Sequence, residues 1–434
     1  MAKEGRYGIS TLTFLVVASM IGAGVFTTSG FTMTSLRDPW LVLAAWLVGG
    51  GVALAGAYSY GCLVRLIPES GGEYVFLSRA AHPFLGFVAG WVSLLAGFSG
   101  AIALAATTLE SYLPISDALP RGTVAVGVVL LGAGLHGFYR SLGVVTQNLS
   151  VLIKLLLIAA FIVVAGFDWA GGTWQGTALP AALEAGPWWL AFAQALVWIS
   201  LSYSGFNAAV YVAAEAKTPT VVAKALLMGT GVVVVVYLLL NAAFVLAPLP
   251  EKIAGQPDVA ARAAEAIGGA TLAAGVRGVI ALALFTSVLS MMMAGPRVYA
   301  KMAGDGFLPP QLRLHPDRHW PPVLLQAAVA VAMILLASLQ DLLGYLGLTL
   351  SLSAAAAVAC LFLPKSRMQL RRMELILPLV FVVTTLVSAG LLVARDPRQA
   401  LGTLLTFAVA AGMYVLTKKF RDPTSSREAS ADGE

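Results

Sequence analysis

Long apolar runs dominate the chain, broken at intervals by charges, prolines and polar clusters. A helix needs about 20 apolar residues to cross a bilayer core. Such runs fall near 9–35, 40–66, 84–112, 122–140, 143–166, 188–213, 221–247, 271–302, 321–340, 342–363, 373–394 and 399–417. The pattern predicts an all-α polytopic membrane protein with twelve transmembrane helices. Asp341 and Gly344 mark a tight turn between the ninth and tenth runs. Three linkers are long enough to carry structure. Residues 68–83 are polar and suit a short interfacial helix, and 167–187 are Gly-rich. Residues 248–270 read as a loop with a short helix from Asp258 to Ile267. The polar residues 419–434 read as a disordered cytoplasmic tail.

Composition narrows the class. Of 434 residues, 59% are hydrophobic and 11% charged, against about 25% charged in a soluble domain. That charge cannot cover two or three soluble domains, and disordered chains are poor in apolar residues. The basic residues are scattered, which argues against a nucleic-acid partner. Cys62 and Cys360 lie inside apolar runs and read as buried thiols. His82, His136, His315 and His319 form no metal motif, and no cofactor is implied. No paired acids or nucleophile elbow stand at mid-depth, so an enzyme is not expected. With the N-terminus inside, alternate loops hold 19 basic residues inside and 7 outside. That bias places both termini in the cytoplasm.

Two runs contain sequences that break a helix at mid-depth. The first reads Ser19-Met20-Ile21-Gly22-Ala23-Gly24-Val25-Phe26, the sixth Leu201-Ser202-Tyr203-Ser204-Gly205-Phe206-Asn207. Non-helical backbone at membrane depth is tolerated only beside protein or a water-filled cavity. Freed N–H groups at a half-helix N-terminus attract anions, and freed carbonyls attract cations. Such a pair suits a zwitterion. Breaks at matching positions of two halves point to a transporter's site. The alternative is that Gly22 and Gly24 only let helices pack closely. Lys154 lies in an apolar stretch, Val151 to Leu157, where a cation is costly. It either snorkels to the interface or is held between helices by carbonyls and hydroxyls. In the second case it is a fixed charge in place of a metal ion, or a proton carrier. Glu110, near the outer end of the third run, reads as a solvated loop-end carboxylate.

These residues carry a family resemblance. Four motifs occur in order: Met20 to Phe26, Pro68-Glu69-Ser70-Gly71-Gly72-Glu73-Tyr74, Ser202 to Asn207 followed by Glu215 to Pro219, and Arg297 to Pro309. Together the chain resembles amino acid permeases of the amino acid–polyamine–organocation (APC) superfamily. The Gly-Phe-Asn variant in the sixth run is most similar to the L-amino acid transporter-like branch. The resemblance implies the LeuT-type fold in a single domain, 1–418. Five helices (9–166) are followed by an inverted five (188–363), then two more (373–417). It implies a substrate site at Met20, Ile21, Gly22, Ala23, Gly24, Leu201, Ser202, Ser204 and Asn207. The ammonium would meet carbonyls of Met20, Leu201 and Ser204, and the carboxylate the amides of Ala23 and Gly24. Asn207 would stabilise the unwound stretch or line the cavity. Lys154 is similar to the membrane lysine of sodium-independent bacterial members, which occupies the region of a sodium site. Tyr237 and Ser287 would be its neighbours. Three positions depart from the pattern. Ala23 replaces a hydroxyl residue, Ala214 an acid, and Leu201 an aromatic gate, for which either Tyr203 or Phe206 would substitute or the gate would be weak.

The expectation is a sodium-independent secondary transporter of neutral L-amino acids. It would work by alternating access, as an exchanger (antiporter) or coupled to protons. Its partners would be the amino acid, the lipid bilayer and protons. It would be a monomer in the bacterial inner (plasma) membrane. The alternatives are a polyamine or organic-cation permease, with Glu110 as the visible acid, and a transport-deficient sensor.

Overall fold

The computed structural model describes residues 7–113, 119–138, 143–172, 174, 176–179, 187–313, 320–367 and 369–417. Arg140, His315, His319 and the tail from 418 lie outside them, as do the side chains of His136, Arg297 and Lys301. The described chain is helical, with one isolated bridge between Tyr7 and Ala216.

The first segment is a bent pair, α1 (Ile9–Met20) and α2 (Ala23–Leu36), at 43°. Then come α3 (Pro39–Leu66) and the short α4 (Gly72–Ala80) in the first polar linker. The third segment is α5 (Pro83–Val92), a π-helical stretch Ser93–Gly100 and α6 (Ala101–Tyr112). α7 (Thr123–Phe138) and α8 (Gly143–Ala170) complete the first half. The second half opens with α9 (Trp188–Ser202) and a 3-10 helix, Ala208–Glu215. It continues with α10 (Pro219–Leu246), α11 (Pro250–Ile253) and α12 (Val259–Gly304). α12 departs from helical backbone at Gly268 and Gly269, so its first part is the expected loop helix. α13 (Trp320–Leu336), α14 (Leu339–Ala359), α15 (Pro364–Arg367), α16 (Ile376–Arg395) and α17 (Arg398–Thr417) follow. Among the described residues eight helices are long and apolar enough to cross a bilayer, nine with the bent pair taken as one span, and three shorter helices are apolar.

Local chemistry explains the helix starts. Asp38 accepts from Trp40 N at 2.7 Å with Pro39 in the first turn, and Thr218 accepts from Val221 N at 3.2 Å ahead of Pro219. Both are side-chain caps. The ninth-to-tenth turn differs from the sequence reading. It falls at Ala337–Ser338, and Asp341 and Gly344 lie within α14. Ser338 and Asp341 form a reciprocal capping box, with Asp341 N to Ser338 Oγ at 3.0 Å. Gly344 makes room for Gln399.

The helices pack in two groups. α1, α2, α3, α9 and α10 associate closely, as do α6, α7, α8, α12 and α13. α8, α16 and α17 leave most of their surface uncovered by protein, the face available to lipid. Cys62 and Cys360 are buried free thiols.

Glu110 corrects the sequence reading. It is 7% exposed. Its two carboxylate oxygens accept from Gly122 N at 2.7 Å and Ala125 N at 2.8 Å, which caps α7 from a neighbouring helix. Orphan amides at a helix start need such acceptors. Glu110→Ala is expected to cost roughly 2 kcal/mol, read as a lower melting temperature in detergent. A variant that melts with the parent would return Glu110 to a solvated role.

Candidate functional site

The two breaks meet. α1 ends at Met20, Gly22 is extended (φ −129°, ψ −158°), and α2 begins at Ala23. α9 ends at Ser202 and turns through residues 203–207. Gly205 has φ +103°, and a Cβ there would lie 2.7 Å from the Ser19 carbonyl oxygen. Only glycine satisfies both the dihedral and the approach. Gly24 is not part of the break, contrary to the sequence reading: it is helical in α2. A Cβ on Gly24 would lie 2.7 Å from Ser202 Cα, so its smallness serves contact between α2 and α9. The Thr28 and Ser202 hydroxyls bond at 2.9 Å along the same seam.

Tyr237 ties the breaks together. Its hydroxyl donates to Met20 O at 2.6 Å and lies 3.1 Å from Ser202 O, the carbonyls that end α1 and α9. Its ring packs against Trp46 at 5.5 Å and Tyr203 at 5.2 Å between centroids. Trp46 Nε1 donates to Ser29 Oγ at 2.9 Å, Ser29 donates to Asn241, and Asn241 donates to Tyr237 O at 2.8 Å. A closed polar network thus fixes the ring that spans both breaks.

Lys154 is 5% exposed, and its ammonium donates to Ile21 O at 2.5 Å. The cation therefore sits at the C-terminal end of α1, where carbonyl dipoles favour positive charge. Among the described residues no carboxylate forms an ion pair with it. Beside it, a small cavity between α8 and α12 is lined by Ala283 and Thr286. Ser287 is the next residue, but its hydroxyl donates to Ala283 O at 3.0 Å within its own helix.

The structure places the other sequence candidates as follows. The Leu201 carbonyl accepts from Ser204 N at 3.0 Å, and Met20 O accepts from Tyr237. Met20 O keeps a second lone pair, whereas Leu201 O also accepts from Tyr203 N. No side chain of the cap residue Gly22 occupies the first amides of α2, which include Ala23 and Gly24. Ser204 is half-buried and Leu201 buried. Tyr203 and Phe206, the rings nearest Leu201 in sequence, are both buried. Tyr203 donates to Trp46 O at 3.1 Å, and Phe206 packs on Tyr60 at 5.4 Å and Phe381 at 6.1 Å. The turn at Gly205 directs both rings into packing with α3 and its neighbours. Asn207, at the end of the second turn, donates to Glu73 Oε1 at 2.5 Å. The sequence reading missed that contact, because Glu73 stands 134 positions away.

The two ends of the broken pair are covered unequally. On the α2 side, Gly255 N donates to Gly30 O at 2.9 Å and Tyr112 donates to Phe26 O at 2.7 Å. α2 also packs on α6 and α12 of the other group. α1 packs chiefly on α10 and on Ala208–Glu215. Tyr7 exchanges backbone bonds with Glu215 O at 3.0 Å and Lys217 N at 3.1 Å. Ser19, one residue before the break, is exposed. The α2 side of the break is therefore the more closely covered of the two.

Comparison with known proteins agrees with this architecture. The pattern of the amino acid permease family matches residues 7–417. The chain is similar to the serine/threonine exchanger SteT of Bacillus subtilis, 26% identical with 74% of each chain covered. It is similar to the human large neutral amino acids transporter small subunit 2, 25% identical over 80% of this chain and 67% of that one. An uncharacterized transporter of Mycobacterium bovis is 26% identical over 79% of this chain and 76% of its own. With a match that spans nearly its whole length, this chain belongs to the amino acid permease family.

Proposed function

We propose that the protein is a sodium-independent secondary transporter of neutral L-amino acids. The observation that carries this reading is the contact of two broken helices, Gly205 against Ser19, at the junction of four half-helix ends. The amides of Ala23 and Gly24 receive the substrate carboxylate. The remaining lone pair of Met20 O, with the carbonyls of Leu201 and Ser204 beside it, receives the ammonium. Neither buried acid described so far is free for a cationic side chain. Glu73 is engaged by Asn207, and Glu110 caps α7. That disfavours a polyamine or organic cation.

The charge bias puts Tyr7 and α4 on the cytoplasmic side. The geometry then corresponds to a state closed outside and reached from the cytoplasm. Alternating access exchanges this for a state in which α1, rather than α2, packs on the second helix group. The chain acts as one domain in the inner membrane, with repeats 9–166 and 188–363. Lys154 on Ile21 O stands in for a bound cation, so cycling needs no sodium and proceeds by exchange or with protons.

Labelled neutral amino acid is expected to enter proteoliposomes without sodium. Uptake should rise with internal amino acid or a pH gradient, and strict sodium dependence would remove the role given to Lys154. Lys154→Ala is expected to slow uptake at least tenfold, since Ile21 O loses its cation; an unchanged rate would leave Lys154 a packing residue. Gly205→Ala should abolish binding and uptake while the protein still inserts, because the added methyl meets Ser19 O. Near-parental uptake by that variant would show that the breaks do not form the site.

A further inference from the structure

Glu73 is a buried acid that the transport reading leaves unused. It lies in the first turn of α4 and is 7% exposed. Its carboxylate accepts from Tyr60 at 2.6 Å, Asn207 at 2.5 Å and Tyr211 at 2.6 Å. These donors come from α3, the turn after the second break and the following 3-10 helix. Among the described residues no Lys or Arg forms an ion pair with it. A buried carboxylate is costly to hold and depends on its hydrogen-bond donors. Three hydrogen bonds to a charged acceptor offset that cost only while all three donors hold position.

The surrounding contacts enforce that position. Gly72 has φ +59°, and a Cβ there would lie 2.5 Å from the Tyr211 ring, so the ring rests on bare backbone. Ala214 N donates to Ser70 Oγ at 2.9 Å. The 70–73 stretch thus grips residues 207–214 at three points. Asn207 is two residues beyond Gly205, whose backbone lies against Ser19 O. A shift of Asn207 therefore moves the contact between the two breaks. On the other side of α4, Tyr74 donates to Asp305 at 2.7 Å, just beyond the end of α12. Adjacent residues of one short helix thus hold the second broken segment and the opposite helix group.

We propose that Glu73 is a positioning residue for transport. Through Asn207 it holds the break geometry that binds substrate from the side where Ser19 is exposed. This rests on the transporter reading above.

The test measures KM separately at the two faces of oriented proteoliposomes, with a ligand-induced melting shift in detergent as an independent measure of binding. Parental protein that neither transports nor binds a neutral amino acid would sink the transporter reading itself. Given parental activity, Glu73→Gln should raise KM at the α1-side face about tenfold, as for loss of a charge-assisted hydrogen bond. KM at the other face should stay near the parental value. Tyr211→Phe, which removes one donor and keeps the acid, should raise the same KM by a smaller factor. Asn207→Asp should also raise it, and the pair Glu73→Gln/Asn207→Asp should recover most of the loss by exchanging amide and carboxylate. Rates that fall only with the amount of folded protein, with KM unchanged at both faces in Glu73→Gln and Tyr211→Phe, would overturn the proposal. So would an additive double variant.

Discussion

In a bilayer, a backbone N–H or C=O without a partner costs several kcal/mol, and this protein interrupts two helices in its interior. Most of the architecture around those interruptions answers that constraint. Tyr237 donates to Met20 O and lies beside Ser202 O, while Lys154 donates to Ile21 O. The partners come from α10 and α8, so each break is completed by helices distant in sequence. The Ser29–Asn241–Trp46 network has its place for the same reason, because it fixes the tyrosine that serves two helix ends.

The apolar segments were legible because the bilayer imposes length and apolarity on each of them. Both breaks were legible because glycine is cheap only where the backbone needs it. The errors have a common source. Asp341 looks the same in sequence whether it lies in a turn or closes a capping box three residues later. Glu110 read as solvated because its partners are backbone amides of residues 122 and 125, which leave no side-chain signature. The place of Tyr237 was suggested by family likeness alone, since a tyrosine within an apolar helix does not announce which carbonyls it meets.

Buried charge is used sparingly and in two different ways. Asp258 is held by Arg262 at 2.7 Å and Arg277 at 2.8 Å, an ion-pair cluster at the start of α12. Lys154 and Glu73 have no opposite charge in an ion pair among the described residues, and each is held by neutral groups. A charge held by neutral dipoles is more sensitive to their placement than one in an ion pair, because each bond is short-ranged and directional. These two sites are therefore the ones through which small movements of the breaks register as energy.

The backbone bridge at Tyr7 has a mechanical consequence. α1 and the 208–215 helix touch at the breaks, through Ser19 and Gly205, and again at their far ends, where Tyr7 meets Glu215 and Lys217. Two struts joined at both ends form a closed frame, and neither can swing alone without opening a joint. The half of the first segment and the half of the sixth that face the α1 side therefore travel as one piece.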